Sequence, residues 1–453
     1  MKTRFAPSPT GLLHVGNART ALIAWLWARA QGGVFVLRID DTDTARSQTK
    51  FIKALQEDLR WLGLDWDSKV HQSARLTHYR TVIDGLIARD RVYPCYESAD
   101  ELALLRRAQQ AQGKPPRYHR DSMSAQERAA RARAGARPHY RFALSPEPVV
   151  WQDLILGEVS FGGHELSDPV IMREDQSFTY HLCSVIDDVD MAMSTVIRGV
   201  DHLANTAAHI QMIQALEGPP ITFAHLPLIV GADSRPLSKR EEDVSLAGLR
   251  ELGIEALALA HLLAFPGGLA HAELMPDTAA MAERFELSAW GRSPQHFRLE
   301  DLHLLNGRVL SQRPFRAVRE TLMMLIPGAD PIRLEALWDI ARENIQTQQD
   351  MIGWWQIIEH DELPLQGLAD VPPGIGADFL AAAIELLPPE PWDEKVLKAW
   401  IRAVGERTGQ KGKSLFGTLR VCLTGRPDGP NLTTLLSLMG RARTHARLAA
   451  CAR

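Results

Sequence analysis

The chain is poor in cysteine, has no long apolar run and carries no excess of one charge. Its four cysteines, Cys95, Cys183, Cys422 and Cys451, are scattered over 453 residues, a usage that argues against a disulfide framework and for reduced thiols. No apolar stretch approaches the roughly 20 residues of a membrane-spanning helix, and the start MKTRFAPSPT lacks the apolar core of a signal peptide. A cytoplasmic location without membrane contact is expected. Lys and Arg number 51 against 55 Asp and Glu, for a net charge of −4. Binding a polyanion would therefore require local basic patches. What remains is an ordinary globular composition, 45% hydrophobic and 23% charged, and the length predicts two to four domains.

Residues 7 to 17, PSPTGLLHVGN, carry two prolines, two glycines, Ser8, Thr10 and His14, which is loop chemistry. Ala18, Leu22, Trp25, Leu26 and Arg29 then recur at helical spacing, so the loop runs into the N-terminus of an amphipathic helix. Such an end presents unpaired N–H groups and a partial positive charge, and phosphate is its expected guest. His14 and Gly16 sit at that mouth, the first able to donate to a phosphoryl oxygen, the second leaving room for close approach. VFVLRID follows as a buried parallel strand, completing a βαβ unit. Asp40, Asp41 and Asp43 fall at its carboxyl end, where ligands of open α/β sheets bind. They suit an ammonium group or loop-closing hydrogen bonds.

Further on, Phe51, Ile52, Leu55, Leu59 and Leu62 mark one helix face, and Leu76, Tyr79, Val82, Ile83 and Leu86 another. An insertion begins near Tyr93. Ser98 with Glu101 and Ser124 with Glu127 match capping boxes, QAQGKPPRYHR reads as an exposed basic loop, and HYRFAL and EVSFGG read as short strands. A strand–helix pattern resumes around Phe178 with STVIRG, a helix near Thr206 to Leu216 and a strand HLPLIV, followed by the turn GADS and the basic string PLSKR. Beyond residue 313 helical patterns dominate, including Arg333 to Trp355 and Trp392 to Thr408, with LLPPEPW as a break. Lys411, Lys413, Arg420 and Arg426 cluster there.

HVGN resembles the HIGH signature, and PLSKR the KMSKS signature, of class I aminoacyl-tRNA synthetases. The longer strings RFAPSPTG, RIDDTD, TYHLCSVIDDVD, VIRGVDHLANT and KGKSLFGTLRVCLTGRPDGP resemble bacterial glutamyl-tRNA synthetases, and the resemblance runs from residue 3 to about residue 440. It implies an α/β protein: a Rossmann-type parallel-sheet catalytic domain with an inserted α+β acceptor-binding domain, followed by an all-helical anticodon-binding domain. The catalytic region is placed at 1–312, with nucleotide-fold halves at about 1–92 and 176–235, the insertion at 93–175 and a stem-contact region at 236–312. The anticodon-binding region is placed at 313–453. The implied activity joins L-glutamate to the 3′ end of tRNA(Glu), by way of a glutamyl-adenylate.

By the same resemblance His14, Gly16 and Lys239 are the catalytic residues. Thr10, His14, Gly16, Asp201, Leu228, Ile229, Ser238, Lys239 and Arg240 are the ATP-binding residues. Arg4, Ser8, Asp40, Tyr180, Ser184 and Arg198 line the amino-acid pocket, with Arg4 and Arg198 as carboxylate partners and Asp40 facing the α-ammonium. The alternative for Arg198 is a structural ion pair at a strand end. Some positions depart from the family pattern: Pro236 stands where a Lys is common, Asp40 where Glu is, Ser184 where Asn is, and Val200 where an acid is. Mg²⁺ is expected only with ATP. Relatives with a zinc knuckle use a C-x-C pair, whereas here Glu97 stands two residues after Cys95 and the far segment offers His119, so no zinc is expected. Relatives that reject tRNA(Gln) place an Arg near the segment Ile345 to Asp350, which has none here, so the resemblance implies relaxed tRNA choice extending to tRNA(Gln). A monomer is expected. The competing readings are a tRNA-binding paralogue without aminoacylation and a glutaminyl-specific synthetase.

Overall fold

The computed structural model describes residues 1–43, 46–231, 233–235, 245–266, 273–360 and 377–451. The chain divides into two compact units, one of Met1–Glu251 with Leu259–Asp301, the other of Leu252–Ala258 with Leu302–Arg453.

The first unit is built on parallel strands. β1 (Lys2–Phe5), β2 (Val34–Ile39) and β3 (Ser68–His71) pair in that order, all parallel, with Arg4 opposite Val36 and Ile39 opposite His71. β9 (Thr195–Gly199) and β10 (Thr222–Leu226) form a second parallel pair. The two groups meet at β1: the Ser194 N–H donates to the Lys2 carbonyl at 3.0 Å, and the Lys2 N–H to Ser194 Oγ at 2.7 Å. The chain thus steps from β1 to β2 and β3 on one side and from β9 to β10 on the other. That reversal is a topological switch point, where open α/β sheets bind their ligands.

Helix α1 (Val15–Ala30) returns the chain from β1 to β2. The sequence spacing predicts one apolar face, but Val15, Ala18, Ala21, Leu22, Ile23, Ala24, Trp25, Leu26 and Ala28 are all buried. The helix is packed on one side by the sheet and on another by the helix Thr278–Glu283, so an apolar surface nearly all round is what it needs. Helices α2 (Thr49–Trp61) and α3 (Leu76–Ala88) bury Leu55 and Leu59, and Tyr79, Ile83 and Leu86, from the predicted faces, whereas Phe51 and Ile52 are half-buried and Leu76, at the start of α3, is exposed.

Between β3 and β9 lie β4 (Val92–Cys95), β5 (His139–Phe142) and β8 (Val170–Met172), an antiparallel sheet in that order. Helix α4 (Ala99–Ala111) opens on a complete capping box of Ser98 and Glu101, and α5 (Ala125–Arg133) on Ser124, whose Oγ accepts from the Glu127 N–H. The hairpin of β6 (Val149–Asp153) and β7 (Gly157–Phe161) extends the main sheet through a parallel contact of Asp153 with Phe223 on β10. Helix α6 (Tyr180–Asp190) leads into β9, and α7 (Leu203–Ala215) follows it, starting three residues before the predicted Thr206.

The expected strand HLPLIV is two. β10 ends at Leu226, and β11 (Ile229–Val230) pairs instead with β12 (Gln295–His296). Pro227 has no N–H to continue the ladder.

The second unit is helical among its described residues, with helices at Phe315–Leu325, Pro331–Ala341, Asp350–Glu359, Ala377–Glu385, Glu394–Thr408, Gly412–Thr424, Leu432–Met439 and Arg441–Cys451. Its core gathers Leu322, Leu337, Trp338, Trp354, Trp400, Ile401, Leu419 and Leu436. The predicted helix Arg333 to Trp355 is interrupted after Ala341 and resumes at Asp350, whose carboxylate accepts from the N–H groups of Gln346 and Thr347 in the intervening turn.

Candidate functional site

The switch point carries two buried arginines, Arg4 on β1 and Arg198 on β9, in different surroundings. Arg4 donates through Nε and Nη2 to the two oxygens of Asp188 at 3.1 and 3.2 Å. Arg38, wholly buried on β2, reaches the same Asp188 at 2.7 Å and Asp40 Oδ1 at 2.7 Å, and its Nη2 donates to Ser184 Oγ at 3.0 Å. Asp187, the next residue on α6, accepts from Gln72, Arg75 and Tyr79 at 2.7 to 2.9 Å. Burial works against the Asp188 carboxylate, but Arg4 and Arg38 overcome it and hold its pKa below the ordinary value. This knot ties β1, β2 and α3 to α6. Charges placed so deep persist only when paired and hydrogen-bonded.

Arg198 is just as buried, with 8% of its surface exposed. Its Nη2 donates to Thr206 Oγ1 at 2.6 Å and its Nη1 meets His209 Nδ1 at 3.2 Å, while Nε has no partner. Among the described residues, the buried arginines Arg4, Arg19, Arg38, Arg141 and Arg447 each reach a carboxylate or a main-chain carbonyl. Arg198 reaches neither, and the alternative of a strand-end ion pair is not what the structure holds. Burial, and then the charge of Arg4, lower its pKa to about 10, so it stays a cation at neutral pH. A buried cation without an acid is costly until an anion arrives.

The other expected amino-acid residues surround these two centres. Asp40 and Ser184 belong to the Arg4–Arg38 knot, where both Asp40 oxygens accept from Arg38, at 2.7 and 3.3 Å. Tyr180 stands at the start of α6, its hydroxyl accepting from Asn205 Nδ2 and its ring 6.2 Å from that of His209. Ser8 is exposed in the loop after β1, where its carbonyl accepts from Thr10 N–H at 2.9 Å, and Asp40 N–H closes that loop onto the Pro7 carbonyl at 3.0 Å. Of the neighbouring acids, Asp41 makes loop-closing bonds to Ser73 N–H (2.7 Å), Ser73 Oγ (2.9 Å) and His71 (3.0 Å), and Asp43 pairs with Arg46 at 2.7 Å.

The phosphate-ready end is formed as the sequence suggests. His14 is the N-cap of α1 in an extended conformation, and its Nδ1 accepts from the Gly16 N–H at 3.1 Å. A Cβ at position 16 would lie 2.9 Å from His14 Cε1, so only glycine lets the ring fold over the helix start. Glycine serves similarly at Gly199, where a Cβ would meet Asp201 Oδ1 at 2.3 Å. Asp201 itself is exposed, 3.6 Å from His202 Nε2. Leu228, in the break between β10 and β11, is 41% exposed, and Ile229, the first residue of β11, is buried. Ser238, Lys239 and Arg240, with Pro236, lie outside the described residues.

Sequence reasoning missed Arg38, Asp187 and Asp188. The available signal was an arginine inside an otherwise apolar strand and a pair of acids inside an otherwise apolar helix, each requiring a partner. The far-segment histidine that the sequence offered was His119. His139, not His119, places its ring nitrogen with the Cys95 sulfur and a Glu97 oxygen, all within 4.8 Å of one another, because β5 lies beside β4 with His139 opposite Cys95. His119 sits 4.0 Å from Asp168. The cluster fits zinc poorly. Glu97 accepts from the Tyr118 hydroxyl, His139 Nε2 meets Arg141 Nε at 3.3 Å, and burial raises the Cys95 thiol to about 11.

A parallel nucleotide-type sheet with a capped helix end at its switch point, joined to a helical unit, is the architecture of a class I aminoacyl-tRNA synthetase. Residues 1–303 match the family model described as tRNA synthetases class I (E and Q), catalytic domain, and residues 315–452 match an anticodon binding domain; the protein belongs to that class I family. Within it, the chain is 45% identical over 448 residues to glutamate–tRNA ligase 2 of Methylobacterium sp. (strain 4-46), with 98% of each chain covered. It is 43% identical over 454 residues to glutamate–tRNA ligase 1 of Rhizorhabdus wittichii, with 99% of each covered. In fold it matches the crystal structure of a glutamate tRNA ligase from Elizabethkingia meningosepticum in complex with its amino acid, with a TM-score of 0.84 at 24% identity over 100% of this chain and 99% of that one. No helix among the described residues is long and apolar enough to cross a membrane.

Proposed function

We propose that the protein is a glutamate–tRNA ligase that uses ATP to join L-glutamate to the 3′ end of tRNA(Glu). Its whole-length similarity to ligases of that name supports the reading, and the observation that carries it in the site is Arg198, a buried guanidinium without carboxylate or carbonyl. A fork-shaped cation in a dry pocket suits a side-chain carboxylate and discriminates against neutral isosteres. Arg198 takes the glutamate side chain, Tyr180 bounds the pocket, and Ser8, Asp40 and Ser184 contribute on the side of the Arg4–Arg38 knot.

The reaction runs in two steps. The glutamate α-carboxylate attacks the α-phosphate of ATP in line and pyrophosphate leaves; the terminal adenosine hydroxyl of tRNA then takes the glutamyl group and AMP leaves. Thr10, His14, Gly16 and Asp201 hold the nucleotide, Leu228 and Ile229 contact its base, and Ser238, Lys239 and Arg240 meet the phosphates as charge develops. ATP brings Mg²⁺ with its phosphates. The protein acts as a monomer without zinc, the 93–175 segment grips the acceptor end, and the helical region beyond 313 reads the anticodon. Metal analysis returning one zinc per chain would contradict the zinc assignment.

Charging purified tRNA(Glu) and tRNA(Gln) with each amino acid tests the reading. Glutamate is expected on tRNA(Glu), and on tRNA(Gln) if the arginine-free segment Ile345 to Asp350 relaxes tRNA choice. Glutamine attached to either tRNA, or no charging at all, would overturn the assignment.

A further inference from the structure

Arg198 is held from behind by a relay that ends on a different part of the chain. Its Nη2 donates to Thr206 Oγ1 at 2.6 Å, that oxygen lies 2.7 Å from His225 Nε2, and His225 Nδ1 lies 2.5 Å from Asp153 Oδ2. Thr206 and His225 are wholly buried and Asp153 is 5% exposed.

Chemistry fixes the directions. An ionised carboxylate only accepts, so His225 Nδ1 carries a proton; burial and the charge of Arg198 lower the His225 pKa and keep the ring neutral, so Nε2 is the acceptor, and Thr206 gives its single proton to Nε2 and turns a lone pair to Arg198. Asp153 does not move, because its Oδ1 accepts from the main-chain N–H groups of Ile155 and Leu156 at 3.0 Å and of His225 at 3.2 Å. On the far edge of the guanidinium, His209 Nδ1 can accept only as a neutral imidazole. Burial and the nearby charge of Arg198 keep it so, well below its ordinary pKa. His209 Nε2 in turn faces His181 Nδ1 at 3.4 Å.

We propose that Thr206, His225 and Asp153 are positioning residues that set the protein's preference for a carboxylate substrate. A carboxylate placed directly on Arg198 would fix the guanidinium equally well, but it would occupy one edge and neutralise the charge the substrate must find. The relay holds Arg198 through a neutral hydroxyl and keeps the Asp153 charge three hydrogen bonds away. Without the relay the Thr206 hydroxyl has another acceptor, the His202 carbonyl at 3.2 Å, and Arg198 would be held less firmly. The inference rests on Arg198 being the partner of the glutamate side chain.

The test is ATP–pyrophosphate exchange in the presence of tRNA(Glu), with glutamate and ATP varied separately, for the wild type and Arg198→Ala, Thr206→Val, Thr206→Ser and Asp153→Asn. Thr206→Val is expected to raise the KM for glutamate by about tenfold or more, as loss of a buried polar contact to a specificity group does. The KM for ATP should stay within about twofold, because binding of that substrate is not at issue. Thr206→Ser should restore the glutamate KM, and Asp153→Asn should shift it in the same direction as Thr206→Val by less. An unchanged glutamate KM in Thr206→Val, while Arg198→Ala loses its response to glutamate, overturns the relay and leaves the Arg198 reading standing. Equal rises in both KM values would make Thr206 a support of the fold alone, which also overturns it. A wild-type glutamate KM in Arg198→Ala removes the reading of Arg198 and the relay together. Should Thr206→Val fail to fold, Asp153→Asn decides on the same two constants.

Discussion

The Arg4–Arg38 knot and the Arg198 corner sit at one switch point and use the same residue type for opposite ends. In the knot, every buried cation meets an acid: Asp188 alone serves Arg4 and Arg38, and Asp40 takes the remaining edge of Arg38. In the corner, a cation of equal burial meets a hydroxyl and an imidazole. The first arrangement is internally neutral and holds elements together. The second keeps its cation without an acid in hydrogen-bond reach. Burial therefore does not separate the two arrangements; the identity of the acceptors does.

The contrast breaks most visibly in the knot. Asp188→Ala leaves Arg4 and Arg38 without their shared acid and should cost about 3–5 kcal/mol of stability, the usual consequence of stranding buried charge; chemical denaturation measures it, and a loss below about 1 kcal/mol would mean the knot is not what joins β1 and β2 to α6. At the helix end the effect is on rate. Gly16→Ala pushes the His14 ring off the first turn of α1 and should slow pyrophosphate exchange by about tenfold or more, since small misplacements of a positioning group are costly. Melting temperature should scarcely change, and an unimpaired exchange rate would detach His14 from the chemistry.

The smallest effect is a pH dependence. Burial, Arg198 and His202 lower the His181 pKa to about 4, against about 6.5 in an unfolded chain. Between those values the unfolded state binds the proton and the native state does not, so stability is full above about pH 6.5 and falls as the pH drops toward 4. Thermal melts between pH 7 and pH 5 should show that loss. The pKa values of His139, His202, His209 and His225 are lowered too, so His181→Asn should make the loss shallower without abolishing it, and an identical slope in the variant would mean the imidazole is not kept neutral beside Arg198.

Much of this was legible in the sequence, and what was not has physical causes. The βαβ unit, its capped helix and the segregation of helices beyond residue 313 follow from periodicity and turn residues, which are local. The split of HLPLIV was readable at Pro227, a residue that cannot donate to a ladder. The knot was harder, since nothing local to RID or IDDVD says that they meet; only the rule that buried charge needs a partner could have joined Arg38 to Asp188. Similarly, His139 reaches Cys95 through strand pairing across more than forty intervening positions, beyond the reach of spacing arguments. The uncompensated state of Arg198 is a property of its surroundings, and no string of residues displays it.

The most direct measurement is the glutamate concentration dependence of tRNA-dependent pyrophosphate exchange in Arg198→Ala, read beside its melting temperature. The expected result is a glutamate KM raised on the order of 10²–10³-fold, the scale of losing one partner of a buried charged pair, with a melting temperature equal to or above that of the wild type because an unneutralised buried charge has been removed. A wild-type glutamate KM, or a protein that has lost stability as Asp188→Ala should, would show that Arg198 belongs to the scaffold and not to the substrate.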